Sequence, residues 1–348
     1  FMGFYGEGDS IGNIDESPVD SDPFLGYTVL WNDMLELPLG YDQTTGTFEK
    51  EKVGYSPRSI ATGIYPSFTA LRNLKEVSLS IQDKDGNIIS AISNFSEFTE
   101  DDSPYAFRKN IMSRNDLYYS FDWLLWSGHD DAGKILPDGN YYYVFESTLN
   151  FEGAEPQQTK IPIKIDSVSP VIENIKIEDQ PDGKYKITWD VIEEDSGYIG
   201  SKLWVNGKSK SLNPKINEYI SDESPEIVMV QAIDALRNVG VGYAGNDELL
   251  HAEPFINYLH VSGTNVNETK PASILLFGYK RLDWLFEISD AEGNVLEYAE
   301  IENEHSIYGL KWSPDADYPD GEYYLTITGT DETGLSLTSV PKVITVKQ

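Results

Sequence analysis

The amino-acid sequence predicts an all-β protein, and three observations lead to that prediction. Runs rich in Val, Ile, Thr, Tyr and Phe, such as residues 184–191 and 323–330, have the composition of strands and are bounded by Gly, Asn, Asp or Pro. A Pro-Asp-Gly-x-Tyr segment occurs at residues 137–141, 181–185 and 319–323. Apolar residues seldom recur at helical spacing. Short strands with frequent turns favour antiparallel sheets.

Two long stretches of the chain repeat the same order of strands and turns. In the first, SLSIQDKDGNII at 78–89 precedes LPDGNYYYVFES at 136–147. In the second, FEISDAEGNVL at 286–296 precedes YPDGEYYLTITGTDETG at 318–334, and a shorter relative, PDGKYKITWDV, lies at 181–191. Repetition at this spacing indicates several domains of one architecture, each with its own hydrophobic core.

The Pro-Asp-Gly-x-Tyr segments indicate which architecture repeats. A turn followed by a tyrosine suits a strand that enters a β-sandwich from a corner, where the hydroxyl can bond nearby backbone, as in immunoglobulin-type folds. We therefore predict three tandem antiparallel β-sandwiches of immunoglobulin or fibronectin III type, at residues 1–166, 167–247 and 248–348. The first sixty residues do not repeat and are rich in loop formers, so the first sandwich is expected to be enlarged by an N-terminal insertion.

Charge and cysteine content exclude several classes of function. The 348 residues include 58 acidic and 26 basic side chains, a formal net charge of -32, and the acidic excess extends over all three predicted domains. Such a surface repels nucleic-acid backbones and anionic membranes, so neither is an expected partner, and no run of about 18 apolar residues predicts membrane insertion. Cysteine is absent, which excludes disulfides, thiol catalysis and Cys-ligated zinc.

Clusters of acidic residues are the candidates for a metal site. The segment DKDGN at 83–87 resembles the start of a calcium loop, but an EF-hand needs flanking helices, so a hairpin turn is predicted there. Elsewhere weakly bound Ca²⁺ is the one ion that the sequence suggests, with a solvated surface as the simpler interpretation. The other clusters are Asp130-Asp131, Glu193-Glu194-Asp195 and Asp315, Asp317 and Asp320.

No catalytic or cofactor-binding residue is predicted. Asp195-Ser196-Gly197 matches a triplet of aspartic proteases and subtilisins, but the chain has no second triplet and no serine in a Gly-Thr-Ser context. The histidines do not form a metal-binding or catalytic pattern. A deep cleft in which acids and a histidine converge would contradict this prediction. The four histidines are His129, His251, His260 and His305.

A cluster of aromatic residues in the first repeat has two interpretations. The rings could form a platform on which sugars stack, or they could form a core and a cross-strand ladder, which is the favoured interpretation because aromatic pairs stabilise half-buried sheets. The residues are Tyr118, Tyr119, Phe121, Trp123, Trp126, Tyr141, Tyr142 and Tyr143.

The first residues of the chain resemble a known family. FMGFYGEG at 1–8 is followed by an acidic loop and then by repeating strands and turns. This order is similar to the region downstream of the protease domain in Gram-positive cell-envelope subtilisin-like proteinases, the group of the lactocepins and streptococcal C5a peptidases. Members of this group usually have Asp-Trp where this chain has Glu7-Gly8. Phe1 opens within the motif, so the chain is expected to be a fragment of a longer protein.

The resemblance implies a parent that is an extracellular, cell-wall-attached serine endopeptidase. Its catalytic residues would lie upstream of Phe1 and its wall-sorting signal beyond Gln348. This chain would then be a non-catalytic stalk and substrate-docking region built of fibronectin III-like domains. Its expected partners are the upstream protease domain of the same parent and protein substrates or host surface proteins.

Two other functions remain open at this point. The chain could be a bacterial surface adhesin or carbohydrate-binding module with no protease attached. It could also be a domain of a polysaccharide-degrading enzyme, in which the aromatic cluster would line a glycan groove.

Overall fold

The structure is a computed structural model. The residues it describes form strands, turns and one short 3-10 helix, Asp247–Leu249, and no α-helix occurs among them. The predicted all-β fold class is therefore confirmed. The described residues are 25–32, 41–42, 47–48, 54–70, 74–95, 118–120, 124–149, 153–192, 198–213, 216–316 and 318–347.

The described strands follow one another in chain order. They are β1 (Leu25–Asn32), β2 (Tyr41–Asp42), β3 (Thr47–Phe48), β4 (Gly54–Tyr55), β5 (Ile64–Ala70), β6 (Leu74–Gln82), β7 (Ile88–Phe95), β8 (Tyr118–Ser120), β9 (Gly139–Leu149), β10 (Gln157–Ile165), β11 (Val171–Asp179), β12 (Tyr185–Ile192), β13 (Tyr198–Val205), β14 (Lys208–Leu212), β15 (Glu218–Ser221), β16 (Ile227–Asp234), β17 (Val239–Gly245), β18 (Ile256–Ser262), β19 (Ala272–Ser289), β20 (Val295–Trp312), β21 (Gly321–Thr330), β22 (Ser336–Thr338) and β23 (Lys342–Val346).

The chain divides into two compact units, and the first contains residues 1–57 and 61–167. Its sheets have the strand orders β1-β5-β8 and β4-β10-β9-β6-β7. Side chains from both sheets meet in one core, where the rings of Phe68 and Phe145 pack edge to face with centroids 5.9 Å apart. Most neighbouring strands are antiparallel, but β4 and β10 are parallel.

The second unit contains residues 58–60 and 168–348 and includes two sandwiches. The middle sandwich has sheets β11-β12-β15 and β14-β13-β16-β17, with Trp189 and Val230 in its core. In the third, all six described strands belong to one sheet, with β18, β19, β21 and β22 in order, β20 paired to β19 and β23 to β21, and Trp284 and Leu325 lie in its core. The division into three domains by residue number stays a prediction.

Strand β16 shows how the two sandwiches of the second unit meet. Side chains of a strand point alternately to opposite faces. Val228 and Val230 face the core of the middle sandwich, whereas Ile227 and Met229 belong to the hydrophobic cluster of the third sandwich. Each of these four side chains is at most 2% exposed. The second unit therefore has a continuous apolar interface between its sandwiches.

A buried cation adds a polar element to this interface. The Lys280 side chain on β19 is 2% exposed, and its Nζ lies 2.7 Å from Glu332 Oε2 and 3.6 Å from Asp331 Oδ2. Nζ also donates to the Val239 carbonyl at 2.9 Å and to Ser169 Oγ at 3.3 Å, both in the middle part of the chain. Burial would raise the pKa of Glu332, but the Lys280 ammonium holds that pKa below its ordinary value.

Two of the three predicted tyrosine corners form a hydrogen bond. The Tyr141 hydroxyl donates to the Pro137 carbonyl at 2.9 Å, and the Tyr323 hydroxyl donates to the Pro319 carbonyl at 3.0 Å. The Tyr185 hydroxyl makes no such bond with a described residue. Its Pro-Asp-Gly segment closes a tight turn between the adjacent strands β11 and β12, so the chain does not cross a corner there.

The corner hydrogen bond can be measured at Tyr323, which is 5% exposed. We expect Tyr323→Phe to lower the free energy of unfolding by about 1 kcal/mol, because it removes the hydroxyl, and Tyr323→Ala to lower it by about 3 kcal/mol, because it also leaves a cavity. Urea denaturation of the whole chain would measure both. Tyr185→Phe is the matched control, and a loss there as large as at Tyr323 would contradict the assignment.

Candidate functional site

Five turns share one hydrogen-bond pattern, and an aspartate begins each of them. The backbone N–H of the aspartate donates to the carbonyl four residues later, and its Oδ1 accepts from the backbone N–H of that same residue. The residue at the fourth position has a positive φ and is Gly in all but one turn. The five aspartates are Asp83, Asp130, Asp234, Asp290 and Asp331.

These hydrogen bonds occupy carboxylates that belong to the predicted acidic clusters. Both carboxylate oxygens of Asp83 are occupied, since Oδ1 accepts from the backbone of Asp85 and Asn87 and Oδ2 accepts from the Asn87 side chain at 2.8 Å. The hairpin turn predicted at 83–87 is therefore confirmed. Hydrogen bonds from Asn87 lower the pKa of Asp83, which keeps the carboxylate ionised as a turn acceptor.

The other predicted acidic clusters have different outcomes. Asp130 begins one of the five turns, and Asp131 Oδ1 accepts from the backbone of Ala91 at 3.0 Å. Residues 193–197, which include the Asp-Ser-Gly triplet, and Asp317 lie outside the described residues. Within the part of the chain that the structure describes, no group of three or more His, Asp or Glu side chains is arranged to hold a metal ion. Weak calcium binding stays a prediction.

The aromatic cluster of the first repeat is core at Trp126 and Tyr143, whereas Tyr141 and Tyr142 are partly exposed. Trp126 is 5% exposed and donates from Nε1 to the His129 carbonyl at 2.9 Å, and Tyr143 is fully buried. Burial raises the pKa of the Tyr143 hydroxyl above its ordinary value. Trp126 is therefore unavailable as a sugar-stacking surface. The side chains of Tyr118, Tyr119, Phe121 and Trp123 lie outside the described residues.

One open cleft in the second unit is lined by carboxylates and a histidine, a feature that the sequence did not predict, but Glu253 is the one described carboxylate that contacts the histidine, so the acids do not converge on it. The cleft has a volume of about 730 Å³ and is lined by Glu226, Glu248, His251 and Glu253, together with apolar and hydroxyl side chains. None of its lining residues is Lys or Arg. The His-x-Glu spacing between β17 and β18 was the sequence signal for this pair.

The chemistry of this cleft rests on one side-chain pair. His251 Nδ1 contacts Glu253 Oε2, and this contact holds the pKa of Glu253 below its ordinary value. His251 Nε2 has no hydrogen-bond partner among the described residues. The hydroxyl of Ser339, also in the lining, accepts from the backbone of Ile327 instead. The arrangement therefore has a histidine and an orienting acid without a hydroxyl nucleophile bonded to the histidine.

The remaining histidines do not join this pair. His129 Nδ1 lies 2.9 Å from Ser127 Oγ in the first unit, and His260 is an exposed residue of β18. His305 lies on β20, opposite the irregular part of β19. These positions agree with the scattered distribution expected from the sequence.

The aspartate turns lead to a prediction about acid stability. Hydrogen bonds from Asn294 lower the pKa of Asp290 from its ordinary value of 3.8, so its ionised form stabilises the fold. This contribution is complete above the ordinary pKa and is lost as the pH falls through the lowered pKa. We expect Asp290→Ala to reduce the melting temperature near neutral pH and to approach the natural chain in strong acid.

Melting curves recorded across the acidic range would measure this effect. Asp179→Ala is the control, because Asp179 is an exposed aspartate at the end of β11 that makes no side-chain hydrogen bond with a described residue. A constant difference in melting temperature between Asp290→Ala and the natural chain at every pH would contradict the proposed cause.

Comparison with known proteins gives partial similarity to two proteinases. No family model matches the chain. A stretch of 130 residues is 30% identical to C5a peptidase of Streptococcus pyogenes serotype M1, covering 35% of this chain and 10% of that protein. A stretch of 226 residues is 23% identical to PI-type proteinase of Lactococcus lactis subsp. cremoris, covering 58% of this chain and 11% of that protein. The matched part is thus about a tenth of each relative.

Some solved structures have detectable similarity to this chain at low identity. Fibronectin(III)-like modules of Clostridium thermocellum CbhA match at 12% identity with a TM-score of 0.27, over 55% of this chain and 85% of that one. A tetra-tandem repeat from the extending region of a large adhesion protein matches at 14% identity with a TM-score of 0.21, over 84% and 74%. These scores are too low to carry a function. The chain is therefore weakly similar to one part of two proteinases.

Proposed function

We propose that this chain is a non-catalytic stalk and substrate-docking region of an extracellular, cell-wall-attached, subtilisin-like serine protease of a Gram-positive bacterium. The observation that carries the proposal is the similarity to C5a peptidase and PI-type proteinase, which covers about a tenth of each of those proteins. A match of that extent fits an accessory segment of a large enzyme. The all-β architecture fits the same role, because packed sandwiches can act as a spacer.

The packing of the second unit supports a stalk. A spacer has to resist bending between its modules. The apolar contacts of Ile227 and Met229 and the buried Lys280 network join the middle and third sandwiches within one compact unit. Among the described residues, no helix is long and apolar enough to cross a bilayer.

The charge of the chain supports a docking role toward proteins. A net charge of -32 favours approach of cationic partners and disfavours nucleic acids. The expected partners are the protease domain of the same parent and protein substrates or host surface proteins. Residues of the exposed strands and loops would contact a large substrate while cleavage takes place elsewhere in the parent.

The absence of catalysis in this chain can be tested directly. We expect the purified chain to release no fragments from casein or from peptide substrates, because no nucleophile is bonded to His251 among the described residues. His251→Ala and treatment with a serine-protease inhibitor are the informative comparisons. A hydrolysis rate that disappears in either comparison would contradict the proposal.

The docking role needs a separate experiment on the parent protease. We expect deletion of residues 168–348 to raise KM for a folded protein substrate, because binding energy from a remote surface is lost. The rate on a short peptide, which cannot reach that surface, should stay unchanged. An equal loss on both substrates would indicate damage to the catalytic domain and would contradict a docking role.

An exposed aromatic strip favours the alternative of a carbohydrate-binding surface module. Phe277 lies between Tyr258 and Tyr308, with ring centroids 6.0 Å and 5.3 Å away, and the two tyrosines are 49% and 71% exposed. Exposed rings can stack on sugars, although neighbouring rings also stabilise a sheet. Glycan-array binding that is lost in Tyr308→Ala, with unchanged melting temperature, would favour the alternative over the protease stalk.

A further inference from the structure

One edge of strand β20 pairs with no strand that the structure describes. β20 pairs with β19 from Val295 to Trp312, and no other described strand pairs with it. With 18 residues it is much longer than an average strand of about 5–6 residues. An unpaired edge presents a row of backbone N–H and C=O groups that can accept another strand. β20 is therefore an open template for strand addition.

We name the first eight residues of β20, 295–302, the acidic edge; their pairing with β19 is regular from Glu297 to Ile301 and has a bulge between Val295 and Glu297. Asn303 has a φ of 51° and interrupts the extended backbone, and Gly309 interrupts the second part of the strand with a φ of 67°. The described residues 295–302 contain no positive φ. The five residues in regular register are enough to pair with a bound segment of ordinary strand length.

Uncommitted carboxylates give the acidic edge its charge. Glu297 accepts a hydrogen bond from the Tyr318 hydroxyl at 2.8 Å, and Glu304, just beyond the edge, lies 3.7 Å from Arg281 Nη1. Glu300 and Glu302 are exposed, and neither forms a hydrogen bond or ion pair with a described residue. Two carboxylates are therefore available to a partner.

Apolar side chains next to these carboxylates are exposed as well. Val295 is 52% exposed, Leu296 41% and Tyr298 70%. Side chains of an added strand would alternate between the two faces of the sheet. One set would lie on the exposed face beside Tyr298, and the other set would lie on the opposite face beside Ala299 and Ile301. The surface thus combines backbone groups, negative charge and apolar contact area.

We propose that the acidic edge binds an extended polypeptide segment in which Lys or Arg alternates with apolar residues, and that the segment is added as a further strand beside β20. This inference deepens the docking role proposed above and rests on it for its biological setting. Backbone hydrogen bonds would supply affinity, and the Glu300 and Glu302 carboxylates would select for basic residues.

A second copy of this chain is a poor occupant of the same edge. Pairing of two β20 edges would bring the four glutamates of one strand, Glu297, Glu300, Glu302 and Glu304, against those of the other. Like charges on facing strands are destabilising, and charged edges are a common protection against self-association. The same charges that disfavour self-pairing favour a cationic segment.

The test measures binding of a fluorescent ten-residue peptide of alternating Val and Lys to the whole chain. We expect Glu300→Gln with Glu302→Gln to weaken binding about fivefold, since two exposed ion pairs are lost, and added salt to weaken it similarly. A peptide with the same sequence but N-methylated at alternate residues keeps its charge and loses backbone donors. We expect it to bind about tenfold more weakly.

Controls separate strand addition from nonspecific attraction. Glu268→Gln removes one exposed carboxylate from a distant turn and should leave binding unchanged. Hydrogen exchange at residues 295–302 should slow when the peptide is present. Equal binding of the N-methylated peptide, or unchanged binding in the double variant, would overturn the proposal. Either failure would leave the non-catalytic stalk role intact, because that role is tested by hydrolysis and by deletion in the parent.

Discussion

The buried ammonium of Lys280 is the interaction on which the arrangement of the second unit depends. A fully buried charge is tolerated only when it is paired, and removing one partner of such a pair costs about 3–5 kcal/mol. Lys280 lies on the third sandwich with Glu332, and its other hydrogen bonds go to Val239 and Ser169. Separation of the two sandwiches would break those bonds. Separation would leave the Lys280 ammonium without two of its hydrogen-bond partners, so this buried charge links the two sandwiches.

The acidic residues of this chain have two physical roles. Asp83, Asp130, Asp234, Asp290 and Asp331 accept backbone hydrogen bonds within turns, so their carboxylates are part of the fold. Asp331 also lies beside Lys280, which connects a turn to the interface of the second unit. Exposed carboxylates such as Glu300 and Glu302 have no such partner among the described residues and give the surface its negative field.

Local sequence patterns predicted much of the fold but little of its long-range contacts. Alternating runs and Asp-Gly turns predicted strands and hairpins, since those depend on neighbouring residues. The prediction of a tyrosine corner at Tyr185 was wrong, because the corner hydrogen bond depends on whether Pro-Asp-Gly joins adjacent strands or crosses to another sheet. The Lys280 network and the pair of His251 and Glu253 depend on where distant strands meet. The sequence contained one signal for the interface between the sandwiches. Strand β16 has the sequence IVMVQAID, which is apolar on both faces.

Native-state hydrogen exchange under increasing urea tests the central claim that the middle and third sandwiches unfold as one body. The account predicts that the slowest amides of β16 and β21 converge on a single opening reaction with the same free energy and the same urea dependence. In Lys280→Ala the two sets should separate, with β16 and β21 opening independently. Separate opening free energies for β16 and β21 in the natural chain would contradict the account.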